Sequence, residues 1–553
     1  MREKLKDLVV SAVKDLGIEA SDTDSGKLQI DYPESGFGNY TSNAALILSK
    51  SAGLKPIELA EKIAEKLSDE SIEKIEVAGP GFINITLKTE QLIRALQNPE
   101  PLNADSEKIL LEYFQPNIAK PLHIGHMRTA IIGDALKRLL KYAGADVESD
   151  THMGDWGTQF GFLILGCKQA GSVPDEDELN RIYVELNAKA ESDPSVREAA
   201  KQEFVKLEQG DDQNRKIWKE LVEKSVKKFT DFAKELELEP FEHHWPESFY
   251  EDKMPAVLDE LKSKGVLKES QGAQIVDLEE QGLGIAVIVK SDGGTTYLLR
   301  DLATFIFVRE QGFGKHLYVV DSRQSQHYRQ LFAILKLLGK MEEGEGVHID
   351  YGFMSFKGSA LSTRKGNMIL AEDVLEQARD KVKKIIEEKN PDLKDKEQVV
   401  DAVAKGALKY FDLSHNRHSD IEFDWDQALD FEGNTGPYLQ YTHARLSSII
   451  RKAGNSKPET QNSELTDTER RLLFALTIFD EKVLESLQDY LPNIFANYLY
   501  EVATLANKFY HESPVIQEED ENKKQFRLFL VDSSRKVLEK GLDLLGIKAP
   551  EEM

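Results

Sequence analysis

Two histidines stand three residues apart in the string Pro116-Asn117-Ile118-Ala119-Lys120-Pro121-Leu122-His123-Ile124-Gly125-His126, with Lys120 close by. At the start of a helix, such residues suit an anion, because the first turn offers free N–H groups and the positive end of the dipole. They would also serve as half of a metal site, or as a satisfied pair on a packed face. Gly125 weighs against a plain helix interior, where glycine costs roughly 1 kcal/mol relative to alanine. Glycine belongs where something flat must approach the backbone. The chain lacks the Cys and Asp/Glu clusters that a zinc site requires, so nucleotide phosphates are the favoured ligand and no protein-held metal is expected.

The flanking residues define the elements that must hold this string. Ile109 to Phe114 is an apolar run that reads as a short buried strand. Pro116 and Pro121 keep the next segment from being helical throughout. Ile132, Ala135, Leu136, Leu139 and Leu140 then recur at helical spacing, and Gly144 offers a stop. Strand, tight loop and helix follow in that order.

His123-Ile124-Gly125-His126 resembles the HIGH signature of class I aminoacyl-tRNA synthetases, and Pro116 to Pro121 before it resembles the arginyl-tRNA synthetases in particular. Other strings point the same way: Gly154-Asp155-Trp156-Gly157-Thr158-Gln159, Tyr297-Leu298-Leu299-Arg300-Asp301, and Tyr438-Leu439-Gln440-Tyr441-Thr442-His443-Ala444-Arg445. The resemblance implies an ATP-dependent ligase that joins L-arginine to tRNA(Arg) through arginyl-adenylate. ATP is then a substrate accompanied by Mg²⁺, and no zinc is expected.

Downstream of the histidines the chain alternates strands with helices. Ala286 to Val289, Thr295 to Leu299 and His316 to Asp321 read as strands, and Arg300 to Thr304 opens a helix. That alternation predicts an α/β fold with a doubly wound parallel sheet, whose ligands lie beyond the carboxyl ends of the strands. Glu112, Tyr297, Asp301 and Gln324 all fall at or just past such ends and so converge on one crevice. Asp301, near a helix start, also fits a first-turn carboxylate of purely structural use. A guanidinium is a planar fork of donors, best met by a carboxylate in its plane. By the resemblance, Glu112, Asn117, Tyr297, Asp301 and Gln324 hold the arginine, with Tyr297 and Asp301 on the guanidinium and the others on the backbone end. Lys120, His123, Gly125, His126, Met354, Arg364 and Lys365 belong by the same resemblance to the ATP side, with Gly125 admitting the adenine.

Ser359-Ala360-Leu361-Ser362-Thr363-Arg364-Lys365-Gly366-Asn367 sits where class I enzymes carry a mobile KMSKS loop, but Ala360 and Thr363 occupy its two lysine positions. Arg364, Lys365 or Lys120 supplies the charge for the leaving pyrophosphate instead. This departure keeps open a rival reading, an inactive RNA-binding relative of the same fold. Another class I enzyme for an apolar amino acid is disfavoured, because Glu112 and Asp301 would be left unpaired in its pocket. No G-x-x-x-x-G-K-[ST] string occurs, which removes a generic P-loop NTPase.

At 553 residues the chain exceeds a single core. Residues 1–103 read as a small α+β domain, which by resemblance touches the tRNA elbow. Residues 104–435 read as a Rossmann-like catalytic domain with a charged helical insertion at about 174–238. Residues 436–553 read as an all-helical domain that resembles the anticodon-binding domain of the family. Tyr438, Tyr441, Tyr510 and Met553 are its candidates for contact with anticodon bases, which proteins read unpaired, by stacking and edge contacts. The composition, 40% apolar and 30% charged, describes a globular chain, and no apolar run reaches the length of a membrane span. The single cysteine, Cys167, fits a reducing, cytoplasmic setting, and a monomer is expected. The net charge of −26 opposes indiscriminate nucleic-acid binding, so positive charge must gather on one face if tRNA is to be held.

Overall fold

The computed structural model describes residues 1–18, 26–33, 36–102, 107–357, 369–454 and 464–553. The chain forms two compact units, neither continuous in sequence. One comprises Met1–Pro101, Leu446–Lys482 and Glu501–Val537, and the other Leu102–Arg445, Val483–Tyr500 and Leu538–Met553.

The first unit is built on an antiparallel sheet of β1 (Ile30–Asp31), β2 (Tyr40–Ser42), β3 (Ile72–Ala78) and β4 (Phe82–Leu87), in the order β1-β2-β4-β3. Leu5, Val9, Ala12 and Val13 form the buried stripe of the helix Arg2–Asp15, and Leu59, Ala60 and Ile63 that of Pro56–Lys66. Gly17, with φ 71°, ends the first of these helices. Glu481, far along the chain, accepts hydrogen bonds from the Tyr32 hydroxyl at 2.8 Å, the Tyr40 hydroxyl at 3.0 Å and the Arg2 backbone N–H at 3.0 Å.

The second unit carries the parallel sheet. β5 (Ile109–Glu112) and β6 (Val147–Asp150) lie side by side, with Glu112 paired in register to Asp150. β7 (Leu267–Ser270), β8 (Ala273–Leu278) and β9 (Gly284–Val289) form a separate antiparallel sheet. β10 (Lys315–Asp321) and β11 (Gly346–Tyr351) complete the parallel sheet, in the order β11-β10-β5-β6. β12 (Met354–Phe356) pairs in parallel with β13 (Ile421–Phe423). β5 is covered on both faces, which is why it reads as an unbroken apolar run rather than an alternating one.

The helix Ile124–Tyr142 is packed against this sheet so closely that a Cβ on Gly133 would lie 2.2 Å from the Tyr113 ring. Arg128, almost fully buried in the same helix, pairs with buried Asp412 at 3.1 Å and also donates to the Ser419 carbonyl at 3.4 Å. Three helices, Glu176–Ser192, Pro194–Glu208 and Asp212–Glu235, occupy the charged insertion. Each begins at an aspartate, Asp175, Asp193 or Asp211, that accepts a first-turn N–H.

Two sequence expectations need correction. Tyr297 to Leu299 is not strand but the opening of a helix, Tyr297–Glu310. Leu298, Leu299, Leu302, Ala303 and Phe305 are buried at helical spacing, and that burial overrides the strand preference of Thr-Thr-Tyr. The segment Ala286 to Val289 is a strand, but it belongs to the antiparallel sheet β7-β8-β9 and not to the parallel one. The C-terminal region holds the helices Gly436–Ala453, Asp467–Thr477, Phe479–Gln488, Pro492–Glu512 and Glu521–Leu544, without a strand among its described residues. No helix among the described residues is long and apolar enough to cross a membrane.

Candidate active site

Beyond β5 the chain passes through Phe114 (φ 57°) and Ala119 (φ 60°), two non-glycine residues in left-handed backbone. Such positions cost about 1–3 kcal/mol each and persist only where neighbours impose them. Ser225 Oγ accepts the Ala119 N–H at 3.0 Å. The loop after β6 supplies the rest: the Gly154 N–H donates to the Pro116 carbonyl at 3.1 Å, and the Ile118 N–H to the Gly154 carbonyl at 3.1 Å. A Cβ on Gly154 would stand 2.4 Å from Asn117 Oδ1, so a side chain there would force the two loops apart. Asn117 is thereby held against the Gly-Asp-Trp-Gly turn. Within that turn Asp155 accepts both the N–H and the hydroxyl of Ser248, at 2.8 and 2.6 Å, while Trp156 packs edge-on against Trp218 and Phe204.

His123 is the N-cap of the helix and His126 its third residue. Nδ1 of His123 accepts the Gly125 N–H at 3.1 Å, and Nδ1 of His126 accepts the His123 N–H at 3.2 Å. Both Nδ1 atoms are acceptors, so each neutral imidazole carries its hydrogen on Nε2. Burial lowers the pKa of both, helped at His123 by Arg323 and Lys120 and at His126 by His123 and Lys120; that of His126 falls to about 3. The pair is therefore neutral, presenting Nε2–H donors and not positive charge.

The helix start differs in one respect from the sequence expectation. The Gly125 N–H is taken by His123, and the Ile124 N–H donates to the Ile369 carbonyl at 3.1 Å. Those two backbone donors are not free, and imidazole Nε2–H groups stand in for them. The flat group lying on Gly125 is likewise the His123 ring, 3.0 Å from where a Cβ would be.

Leu122 and Ile124 are bridged to Ile369 and Ala371, with the Ala371 N–H on the Leu122 carbonyl at 3.0 Å. The segment just after the proposed charged loop is thus tied to the histidine turn. Arg364 and Lys365 themselves lie outside the described residues. Met354 is buried in β12, paired with Ile421. Lys120 is half-buried, its ammonium 6.0 Å from the centre of the Tyr183 ring.

The other part of the candidate site is acidic. Glu112 is only 4% exposed, and burial pushes its carboxyl up to about 7, with His152 opposing the shift and Asp301 adding to it. Asp150, its neighbour across the β5–β6 pair, is pushed up to about 8 by burial and by Glu112. Two buried carboxyls side by side do not both ionise unless a cation joins them. His316 Nε2 lies 3.2 Å from Glu112, and the Trp245 N–H donates to Asp150 at 2.8 Å. Glu112, Asp150 and His152 are a grouping whose donor atoms all lie within 4.8 Å of one another. One of the three donors is an imidazole, whereas magnesium prefers an all-oxygen shell. An organic cation entering beside the two carboxyls would favour their ionised forms and could donate hydrogen bonds to them.

Tyr297 and Asp301 sit in the first turn and a half of the helix Tyr297–Glu310. Tyr297 is 59% exposed, and the Arg300 guanidinium lies 5.7 Å from its ring centre. Arg300 is turned to Glu251 at 3.0 Å and Glu247 at 3.4 Å, and Asp301 acts on it more weakly, through space. Gln324 is exposed at the N-cap of the helix Ser325–Leu337. Asp301 is close enough to Glu112 to raise its pKa, and Arg323, beside Gln324, is close enough to His123 to lower that of the histidine. Asp301 thus joins the group around Glu112, and Arg323 the group around His123.

Residues 89–425 match the family model described as tRNA synthetases class I (R), catalytic domain. Residues 3–87 match the arginyl tRNA synthetase N terminal domain, and residues 439–553 the DALR anticodon binding domain. The chain is 37% identical over 543 residues to an arginine–tRNA ligase of Fusobacterium nucleatum, covering 94% of each chain. It is 39% identical to one of Ligilactobacillus salivarius, covering 92% of each. The solved arginyl-tRNA synthetase of Thermus thermophilus superposes with a TM-score of 0.85 at 27% identity, covering all of both chains. The chain belongs to the class I arginyl-tRNA synthetase family.

In this member of the arginyl-tRNA synthetase family, sequence reasoning passed over Asp150, His152, His316 and His327 as parts of the site. Asp150 ends a strand and precedes a glycine turn, but only the β5–β6 register sets it against Glu112. The four residues proposed for anticodon contact are separately placed. Tyr438 is half-buried beside Tyr500, with ring centres 5.5 Å apart, and Tyr441 is 44% exposed. Tyr510 is half-buried, and the Met553 carbonyl accepts a hydrogen bond from Asn390 at 3.1 Å.

Proposed function

We propose that this cleft is where the chain, an ATP-dependent arginine–tRNA ligase, activates its amino acid, and that each end serves one substrate. The reaction has two steps. The arginine carboxylate attacks the α-phosphate of ATP, giving arginyl-adenylate and pyrophosphate. The terminal ribose hydroxyl of tRNA(Arg) then attacks the adenylate and AMP leaves. No side chain forms a covalent intermediate; the protein positions the reactants and stabilises developing charge.

His123 and His126 donate Nε2–H to phosphate oxygens, Gly125 keeps that edge thin for the adenine, and Met354 lies on the same side. Lys120, Arg364 and Lys365 steady the pyrophosphate. Magnesium, bound with the nucleotide, would offset part of the phosphate charge, and no side chain of this chain is assigned to hold it. Tyr297 and Asp301 read the guanidinium, while Asn117, Glu112 and Gln324 hold the backbone end. Tyr438, Tyr441, Tyr510 and Met553 face anticodon bases. The chain acts in the cytoplasm as a monomer, and arginine activation waits for tRNA.

The observation that carries this reading is the division of the cleft: neutral imidazoles at one end, and at the other two carboxyls, Glu112 and Asp301, within electrostatic reach of each other. Arginine-dependent ATP–pyrophosphate exchange, with and without tRNA, tests it. Exchange that requires arginine and is stimulated by tRNA is expected. Exchange driven by lysine or glutamine in place of arginine would reject the substrate assignment, and none under any condition would leave an RNA-binding role.

A further inference from the structure

Asp301 has one side-chain hydrogen-bonding partner among the described residues, His327, whose Nε2 lies 2.5 Å from Oδ2. A carboxylate offers only acceptors, so the imidazole is the donor. Each carboxylate oxygen has two lone pairs. A hydrogen bond from His327 to one lone pair of Oδ2 leaves three, enough for a fork of guanidinium donors in the carboxylate plane. Resting on the arginine-site reading above, we propose that His327 is the positioning residue of the guanidinium end: it fixes the plane of Asp301 in which that fork docks.

The surroundings give this contact its rigidity. The ring of His327 stands edge-on to Tyr328, with ring centres 5.4 Å apart, and buried Tyr328 stacks in turn on His348 at 4.5 Å. Asp301 and His327 ride on different helices, yet both helix starts are tied to the same antiparallel sheet and its edge. Thr296 Oγ1 donates to the Ile288 carbonyl at 3.0 Å, and Gln326 and Gln330 both donate to the Leu283 carbonyl, at 2.8 and 2.9 Å. The β7-β8-β9 sheet thus spaces the acid from its donor. Arg300, the nearest cation in sequence, is engaged by Glu247 and Glu251. The docking plane of Asp301 is therefore set by an imidazole N–H, which leaves three lone pairs of the carboxylate for the substrate.

The test is tRNA charging by the full chain with His327→Ala, His327→Gln, Asp301→Asn and the double variant His327→Ala/Asp301→Asn. His327→Ala is expected to raise the arginine KM about tenfold with the ATP KM within twofold. His327→Gln, whose amide reaches a similar point, is expected to recover to within about threefold of the wild type. On the Asp301→Asn background, His327→Ala is expected to add less than about twofold, since the plane it holds no longer has its carboxylate. Equal rises in the arginine and ATP KM values, or full multiplication of the two single effects, would overturn the proposal. An Asp301→Asn variant with normal arginine KM would instead overturn the arginine-site reading itself, and the role of His327 with it.

Discussion

The two ends of the proposed site solve opposite problems. The histidine end is assembled from neighbours in sequence: cap, glycine and first-turn partner all lie within His123 to His126, and the hydrogen bonds that fix both tautomers are local. The acidic end draws Glu112 and Asp150 from two parallel strands, Asp301 and His327 from two helices, and Asn117 from a loop pinned by Gly154. The first end achieves polarity without charge, since burial strips its imidazoles of their protons. The second stores charge that burial resists, and waits for a cation to relieve it. A local motif suffices for oriented donors, whereas a buried acid needs a tertiary enclosure to keep water out.

Four outcomes would break or sharpen that contrast. The largest is expected at the acidic end: Asp301→Ala should lower kcat/KM for arginine roughly 100- to 1000-fold while moving the ATP KM little, because it removes one member of a charge-assisted pair. Steady-state charging measures this, and equal losses for both substrates would show Asp301 to be structural.

The next is a pH effect. On the proposed reading Glu112, raised to about 7, must be ionised to receive the substrate's ammonium. The arginine KM should therefore rise by up to about tenfold per pH unit as pH falls below about 7, while the ATP KM, served by imidazoles already neutral, stays flat. Glu112→Gln should abolish the slope. The same raised pKa values have a stability consequence in the arginine-free protein. Stability from the protonated Glu112 and Asp150 is fully present below their unfolded pKa values and is lost as pH rises through about 7 and 8, an effect that thermal unfolding at pH 5.5 and 8.5 would register.

A smaller effect is expected from Gly125→Ala. The added methyl would stand 3.0 Å from the His123 ring and push it off its cap. The ATP KM should rise about fivefold with the arginine KM unchanged, a cost on the order of 1 kcal/mol. A rise confined to arginine would mean that the histidine turn serves the other substrate. The smallest is Gln324→Ala, expected to raise the arginine KM about threefold, because an exposed side chain must be ordered before it can bond. A larger loss would move Gln324 to the centre of recognition.

Several features were legible from residue order alone. The strand–loop–helix unit around His123 and the helical C-terminal region follow from short-range pattern, and the structure has them. Tyr297 to Leu299 misled, since β-branched and aromatic residues favour strands until burial at helical spacing decides otherwise. The strands β7 and β8 were passed over, although that sheet anchors the helices of Asp301 and His327. Free N–H groups were expected at the helix start, but the Ile369 carbonyl, distant in sequence, occupies one of them.

What the residue order determined on its own was the chemistry available: a histidine pair with a glycine between, an acid after a buried strand, and an acid in the opening turns of a helix. These depend on neighbours a few bonds away, where spacing and backbone preference govern. What only the tertiary structure decided was their state. Whether a carboxyl keeps its proton, which imidazole nitrogen bears hydrogen and which donor holds Asp301 in its plane depend on burial and on partners from remote segments. Desolvation and hydrogen bonding act through space and not along the chain, so Asp150 and His327 acquired their places only when the sheets closed around them.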